Sequence, residues 1–344
     1  MKKWLFLLIA ASCTNLVQAQ SAAVENLVFE GAGMKGIAYS GAITELEQHK
    51  ILPGVKRVGG TSAGAITALM LSLGYTSHEI SDIIGKTNFK KFNDGQYLLA
   101  GGISRLKKEF GWYRGNKVEN WLEGLIEAKT GNADITFLQL KEKGFKDLYV
   151  TGTSLTRQRL LVFSHESYPH MKIKDAVRIS ISIPFYFEAV FMDSTGAIID
   201  HPTKDQNVEV MVDGGFTGNF PIRMFDSTKY LALGGDNQFL FNEHTVGFRV
   251  DHDAQIENDA NGKGLAAMPI TNLKEYTRAF YNIIIENLNR QTLTEKDWSR
   301  TVSISNGDIS SRIRRLSKAE IDTLVANGRE AAATYLTKNV LTSH

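Results

Sequence analysis

Val58-Gly59-Gly60-Thr61-Ser62-Ala63-Gly64 sets a serine in a Gly-x-Ser-x-Gly turn between a short apolar run and an Ala-rich helical segment. A turn this tight strains the backbone of its central residue, and a neighbouring Cβ would oppose it, so Gly60 and Gly64 flank Ser62. Lys56 to Gly59 reads as the end of a strand. Ala65, Ile66, Ala68, Leu69, Leu71 and Leu73 read as a buried helix stopped by Gly74. This is the pattern of a nucleophile elbow: Ser62 Oγ stands above a sheet edge, and the helix starting at Ala63 aims its positive end at the same spot.

Upstream, the same order of strand, Gly-rich turn and helix appears once more. Leu27 to Glu30 is a short apolar strand, Gly31-Ala32-Gly33-Met34-Lys35-Gly36 is the turn, and Ile37, Ile43 and Leu46 mark one side of a helix. The turn matches Gly-x-Gly-x-x-Gly, but a dinucleotide site needs an acid at the end of the second strand, and here that place is taken by Arg57-Val58-Gly59-Gly60 and the serine elbow. A P-loop is excluded because Ile37 follows Gly36. The remaining use for amides bunched at a helix start is to hold a developing negative charge, which a serine nucleophile creates on a carbonyl oxygen. Lys35 adds positive potential there or braces the loop. The alternation of strands with helices predicts an α/β layer fold with a mostly parallel sheet and its site at the carboxyl ends of the strands.

A serine nucleophile needs a base. Of the eight histidines, His49 ends a helix, His78 lies in a helix start and His344 is the last residue; His165, His170, His201, His244 and His252 fall in polar, loop-like stretches. Asp213 is placed differently, after the apolar strand Val208 to Val212 and before Gly214-Gly215, which let another loop approach closely. With two other Gly-rich strand ends present, it is the candidate partner of Ser62. An ordinary carboxylate is a weak base for a serine, so the site must be buried and low in dielectric, which suits an apolar acyl chain. A Ser-His-Asp esterase using a loop histidine remains an alternative at this point.

At the N-terminus, Met1-Lys2-Lys3, the apolar run Trp4 to Ala11 and Val17-Gln18-Ala19 read as a secretory signal peptide over residues 1–19, too short to span a bilayer. The expectation is Sec export to a periplasmic, secreted or outer-membrane-associated location; a lipoprotein signal acylated at Cys13 is the lesser variant. Cys13 is the single cysteine, so the processed chain, residues 20–344, relies on its core and not on disulfides. The chain has 39 basic side chains, Lys2 and Lys3 among them, against 37 acidic ones. That balance argues against a nucleic-acid binder.

The local exception is residues 86–117. Lys86, Lys90, Lys91, Arg105, Lys107, Lys108, Arg114 and Lys117 face only Asp94 and Glu109, interleaved with Phe89, Phe92, Tyr97, Phe110, Trp112 and Tyr113. This reads either as a flap meeting anionic headgroups or as a solvated face whose aromatics belong to the core. Thr76 with Glu79 forms a capping box, and Asn116 is expected to cap an amphipathic helix ending near Gly131. Asp251-His252-Asp253 has no regular ligand spacing and reads as a polar loop, followed by a polar connection over Asn258 to Gly264. From about residue 265, a helix carrying Leu273, Tyr276, Phe280, Ile283, Ile284 and Leu288, and another capped by Ser317 and Glu320, are expected to cover the sheet.

Three blocks together resemble the bacterial patatin-like phospholipases, a family of lipid acyl hydrolases. They are Phe29 to Ala38, Gly60 to Ile66, and Val212-Asp213-Gly214-Gly215, with further likeness around Ala176 to Phe185 and at Asn219-Phe220-Pro221. The resemblance covers roughly residues 25–255 and implies a three-layer α/β/α fold. It also implies a Ser62–Asp213 dyad without histidine, an oxyanion loop over Gly31 to Gly36, hydrolysis of phospholipid acyl esters, and no metal or cofactor. Partners are then a phospholipid or related lipid and a membrane surface, with any protein activator unknown. The family usually has Gly where this chain has Ala32, so its methyl is expected to crowd the loop and alter the site. An acyltransferase sharing the acyl-enzyme and a catalytically silent lipid-binding protein are the other readings.

Overall fold

The computed structural model describes residues 23–95, 98–203, 205–231, 237–290 and 293–341. The expected leader, Tyr97 and His344 lie outside the described residues. The strands are β1 (Asn26–Phe29), β2 (Arg57–Gly60), β3 (Gly111–Tyr113), β4 (Asp147–Ser154), β5 (Arg159–Phe163), β6 (Phe185–Phe187), β7 (Val190–Met192), β8 (Glu209–Asp213), β9 (Thr245–Asp251) and β10 (Thr301–Ser305). The α-helices are α1 (Ala38–Gln48), α2 (Ala63–Ser72), α3 (Ser77–Lys86), α4 (Leu98–Lys108), α5 (Asn116–Thr130), α6 (Phe137–Glu142), α7 (Ile173–Ser180), α8 (Gly215–Gly218), α9 (Asp253–Ala260), α10 (Leu273–Arg290), α11 (Glu295–Ser299) and α12 (Lys318–Leu336).

The central sheet runs β10-β9-β1-β2-β4-β8-β7, with β5 paired to β4. From β10 to β4 the neighbours are parallel, while β5, β7 and β8 add antiparallel pairs. β1 shows why both faces must be covered. Its alternate residues Leu27 and Phe29 join the main core beneath α1, α2 and α12, whereas Val28 points the other way into a second cluster with Tyr149, Phe220, Ile222 and Phe225. A strand buried on both sides reads as a continuous apolar run, as Leu-Val-Phe does. The result is three layers, α/β/α, around a mostly parallel sheet. Register aligns Phe29 with Gly60 and with Phe248, so the loops after β1, β2 and β9 emerge at one edge.

Both capping boxes form, Thr76 with Glu79 and Ser317 with Glu320. Asn116 does not cap α5. The N-cap is Gly115, in the left-handed region, and the buried Asp94 carboxylate accepts the Gly115 and Lys117 amides from 21 and 23 residues upstream. Asp251-His252-Asp253 is not a loop either: Asp251 ends β9, His252 is the N-cap of α9, and α9 runs on into the first residues of the expected polar connection, Asn258 to Ala260.

The largest departure is α10, where Leu273, Tyr276, Phe280 and Ile283 are 79%, 57%, 59% and 54% exposed. Its C-terminal charges turn inward instead: Arg290 binds Asp251, Asp259 and Glu286, and Asp251 and Asp259 also bind the buried Arg249. Paired and multiply bonded charges hold this face down, and Leu273, Tyr276, Phe280 and Ile283 are left outward. Among the described residues, no helix is long and apolar enough to cross a membrane.

Candidate active site

Ser62 stands where β2 turns into α2, with φ +53° and ψ −120°. For a residue with a Cβ this is a sparsely populated conformation, and it persists only when the surroundings impose it. They do so from both sides. A Cβ on Gly60 would lie 2.5 Å from the Gly64 carbonyl, and one on Gly64 would lie 2.2 Å from the Phe29 carbonyl oxygen. Strand and helix meet at a separation that only glycine permits. Beside the elbow, the Thr61 hydroxyl bonds Thr151 Oγ1 at 2.6 Å and the Gly218 carbonyl at 2.9 Å.

Asp213 is the last residue of β8, 6% exposed, and its carboxylate lies close enough to the Ser62 side chain for that side chain to lower its pKa. Burial pushes its pKa up to about 6, against the lowering effect of the Gly215 amide, which donates to Oδ1 at 2.7 Å, and of the nearby Ser62 side chain. Gly214 packs on Thr151, where a Cβ would lie 2.4 Å from Oγ1, and Gly215 opens α8. A carboxylate poised near neutrality is far more basic than a solvated one. Among the described residues, no histidine bonds Ser62 or Asp213. His165, which is half-buried, sits against Asp147 and Glu166.

The loop after β1 closes the other side. An added Cβ on Gly31 would be 3.3 Å from Ser62 Cβ, which places this loop against the serine. Its amides are not equivalent. Gly31 donates to the Asn219 carbonyl, Met34 to the Ser311 carbonyl and Lys35 to the Ala32 carbonyl, while Asn219 Nδ2 donates to the Gly31 carbonyl. Among the described residues, the amides of Ala32 and Gly33 find no protein acceptor, and Gly33 lines the cavity beside Ser62. Lys35 is a brace: Nζ donates to the Val250 carbonyl at 2.8 Å. Ala32 does not crowd the loop. At φ −127° it needs no glycine, and its methyl is buried in the main core.

Gly33 is the position where glycine is required, with φ +54° and an added Cβ 2.5 Å from the Ser311 carbonyl oxygen. Gly33→Ala is expected to displace the loop and to lower kcat about 10²-fold or more, as does the loss of a donor that meets a developing charge. Steady-state hydrolysis of an acyl ester checks this; a variant with native kcat would show that the loop amides do not act.

The cavity beside Ser62, about 90 Å³, is walled by Met34, Ile37, Ile66, Ile84, Phe89, Phe92, Val118, Ile181, Ile183, Phe187 and Ile313, and Gly33, Gly36, Ser62 and Ala63 complete it. Phe89 and Phe92 pack edgewise and tilted on Trp121, so these two aromatics of the basic segment serve the core and the cavity wall.

Two contacts were not legible as functional in the sequence. Ser180 Oγ, at the end of α7, accepts the Ser62 amide at 2.9 Å, and two residues later the Ser182 carbonyl accepts the Asp213 amide at 2.9 Å. One turn of chain thus fixes both residues relative to each other. It is held in turn by the buried Arg178, which bonds Ser182 Oγ and the Arg114 carbonyl. The only sequence signal for it was the likeness of the Ala176 to Phe185 block.

The patatin-like phospholipase family profile matches residues 27–226. An uncharacterized protein of Acanthamoeba polyphaga mimivirus is 30% identical over 290 residues, covering 84% of this chain and 85% of its own length. Uncharacterized protein YqhO of Bacillus subtilis is 33% identical over 213 residues, covering 59% and 67%. Probable lipid hydrolase 463L of Invertebrate iridescent virus 6 is 29% identical over 204 residues, covering 58% and 62%. Among solved structures, VipD from Legionella pneumophila superposes with a TM-score of 0.59 at 15% identity, covering 92% of this chain and 67% of its own, a likeness of fold.

Proposed function

The chain belongs to the patatin-like phospholipase family, and from that membership we propose that it is a serine lipid acyl hydrolase cleaving fatty acyl esters of phospholipids through Ser62 and Asp213. The observation that carries this reading is a serine at a strained elbow with a buried carboxylate close to its side chain, beside an apolar cavity. The name of the iridescent-virus relative, a probable lipid hydrolase, agrees with it.

In the proposed reaction the Ser62 proton passes to Asp213 as Oγ bonds to the ester carbonyl carbon. The carbonyl oxygen takes up the displaced electron pair, opposite the amides of Ala32 and Gly33. Collapse of this intermediate breaks the ester C–O bond, and the leaving alcohol takes the proton from Asp213. Water then attacks the acyl-serine, giving its proton to Asp213; the fatty acid departs and Ser62 recovers the proton. The acyl chain lies along Ile181, Ile183 and Phe187. The leader pattern at residues 1–19 supports export, so that the enzyme works outside the cytoplasm.

Release of free fatty acid from phospholipid vesicles by the purified chain tests the proposal. Its absence under all lipid compositions would refute it. The pH dependence is a second check. Asp213 must be ionised to accept the proton, and its pKa is raised to about 6. Activity is therefore full above that value and falls as pH drops through it, giving an acid limb centred near 6 in kcat/KM. A limb near 4 would mean that the base is a solvated carboxylate.

A further inference from the structure

The face that carries the unabsorbed cations of residues 86–117 also carries two aromatic rings in an unusual state. Phe110 and Phe185 have φ +60° and +65° and are 46% and 72% exposed. Bulky side chains seldom adopt this conformation, which glycine takes freely. The backbone at Phe185 has a visible consequence: Ile181, Ile183 and Phe187 point into the cavity beside Ser62, whereas Phe185, in the same run, points out to solvent. β3 pairs with β6 in register Gly111 to Phe185, so Phe110 and Phe185 sit at one end of the same two-stranded ribbon. Ile103 of α4 adds another exposed apolar side chain.

The ribbon is held firmly. Arg105 of α4 donates to the Trp112 carbonyl at 3.1 Å and to the Gly95 carbonyl at 2.5 Å, and it faces Glu188 at 3.5 Å. Around it Lys90, Lys91, Lys107 and Lys108 are exposed, and among the described residues none of them meets a carboxylate. The nearby acids are engaged elsewhere, Asp94 in capping α5 and Glu109 opposite His201. Rigid, outward rings surrounded by unpaired ammonium groups complement one kind of partner, a surface with anionic heads over an apolar layer.

We propose that this face seats the protein on an anionic lipid surface, with Phe110 and Phe185 entering below the headgroups and Lys90, Lys91, Lys107 and Lys108 meeting their phosphates. The chain segment from Ile181 to Phe187 then joins the dyad, the cavity wall and the surface contact, so a lipid leaving the layer at Phe185 meets the cavity mouth. The inference rests on the lipid hydrolase reading for its substrate, but not for its binding.

Flotation of the full chain with vesicles of phosphatidylcholine, with and without phosphatidylglycerol, tests it at low salt. Phe110→Gly/Phe185→Gly removes both rings while suiting the positive φ, so the fold is retained, and a thermal melt verifies that. This variant and a second with all four lysines changed to Gln are each expected to partition about tenfold less onto the anionic vesicles. Native partition in both variants would overturn the proposal. So would failure of the native chain to bind, or a loss confined to Phe280→Ser/Ile283→Ser on α10, which would move the lipid contact to that helix. Fatty acid release from the same vesicles is read separately: binding with no hydrolysis would refute the hydrolase reading and leave the docking face standing.

Discussion

Ser62→Ala is expected to lower kcat/KM for phospholipid hydrolysis by about 10⁴-fold or more, the scale on which removing a serine nucleophile acts when it works as a unit with its base. The elbow supplies the reason. Ser62 Oγ is the hydroxyl that the cavity, the Gly31 to Gly33 loop and Asp213 all approach. Alanine keeps the strained φ and the amide bond to Ser180 Oγ, so the thermal midpoint should stay near that of the native chain while vesicle binding persists. A melt, a flotation assay and a fatty-acid assay on one preparation separate lost chemistry from lost structure. Substantial activity in this variant would mean that another residue attacks.

Asp213→Asn is expected to lower kcat by about 10³-fold or more, because an amide cannot accept the serine proton. It should also stabilise the protein at neutral pH. Asp213 has a folded-state pKa raised to about 6 from 3.8, so the folded form binds a proton more tightly than the unfolded chain does. Native stability is then lowered as pH rises through this window, and the penalty is complete above about 6. Each tenfold gain in proton affinity on folding corresponds to about 1.4 kcal/mol, so the neutral variant gains on the order of 1–3 kcal/mol at pH 7. That gain should shrink to nothing as pH falls below about 4, where Asp is protonated in both states. Thermal melts of the two proteins across pH check this; a variant less stable at every pH would mean that the carboxylate is held by bonds outweighing its burial.

The central part of this arrangement was legible because glycine leaves a distinct mark. Gly60 and Gly64 point to a turn no other residue fits, and Ser62 between them has the positive φ that such a turn demands. The strand-helix alternation was equally plain, since Leu27-Val28-Phe29 is apolar at every position and must be buried on both faces. What escaped the sequence are contacts between distant segments. Nothing local tells that Ser180 holds the Ser62 amide 118 residues away, or that Asn219 exchanges bonds with Gly31 across 188. Periodicity likewise identifies the apolar stripe of α10 but not its direction. The inward charges of Glu286 and Arg290 decide that, through Asp251, Asp259 and Arg249 far along the chain. Ala32 fits where its residue type suggests crowding, because the cost of a methyl depends on φ, which the residue type alone does not state.

The central claim is that Ser62 forms an acyl-enzyme with Asp213 as its base. The most direct test is mass spectrometry of the protein quenched during turnover of a slowly deacylating fatty acyl ester. The account predicts one acyl group on the peptide containing Ser62, absent from Ser62→Ala and accumulating far more slowly in Asp213→Asn. Turnover with no adduct at Ser62, or an adduct on a different residue, would contradict it.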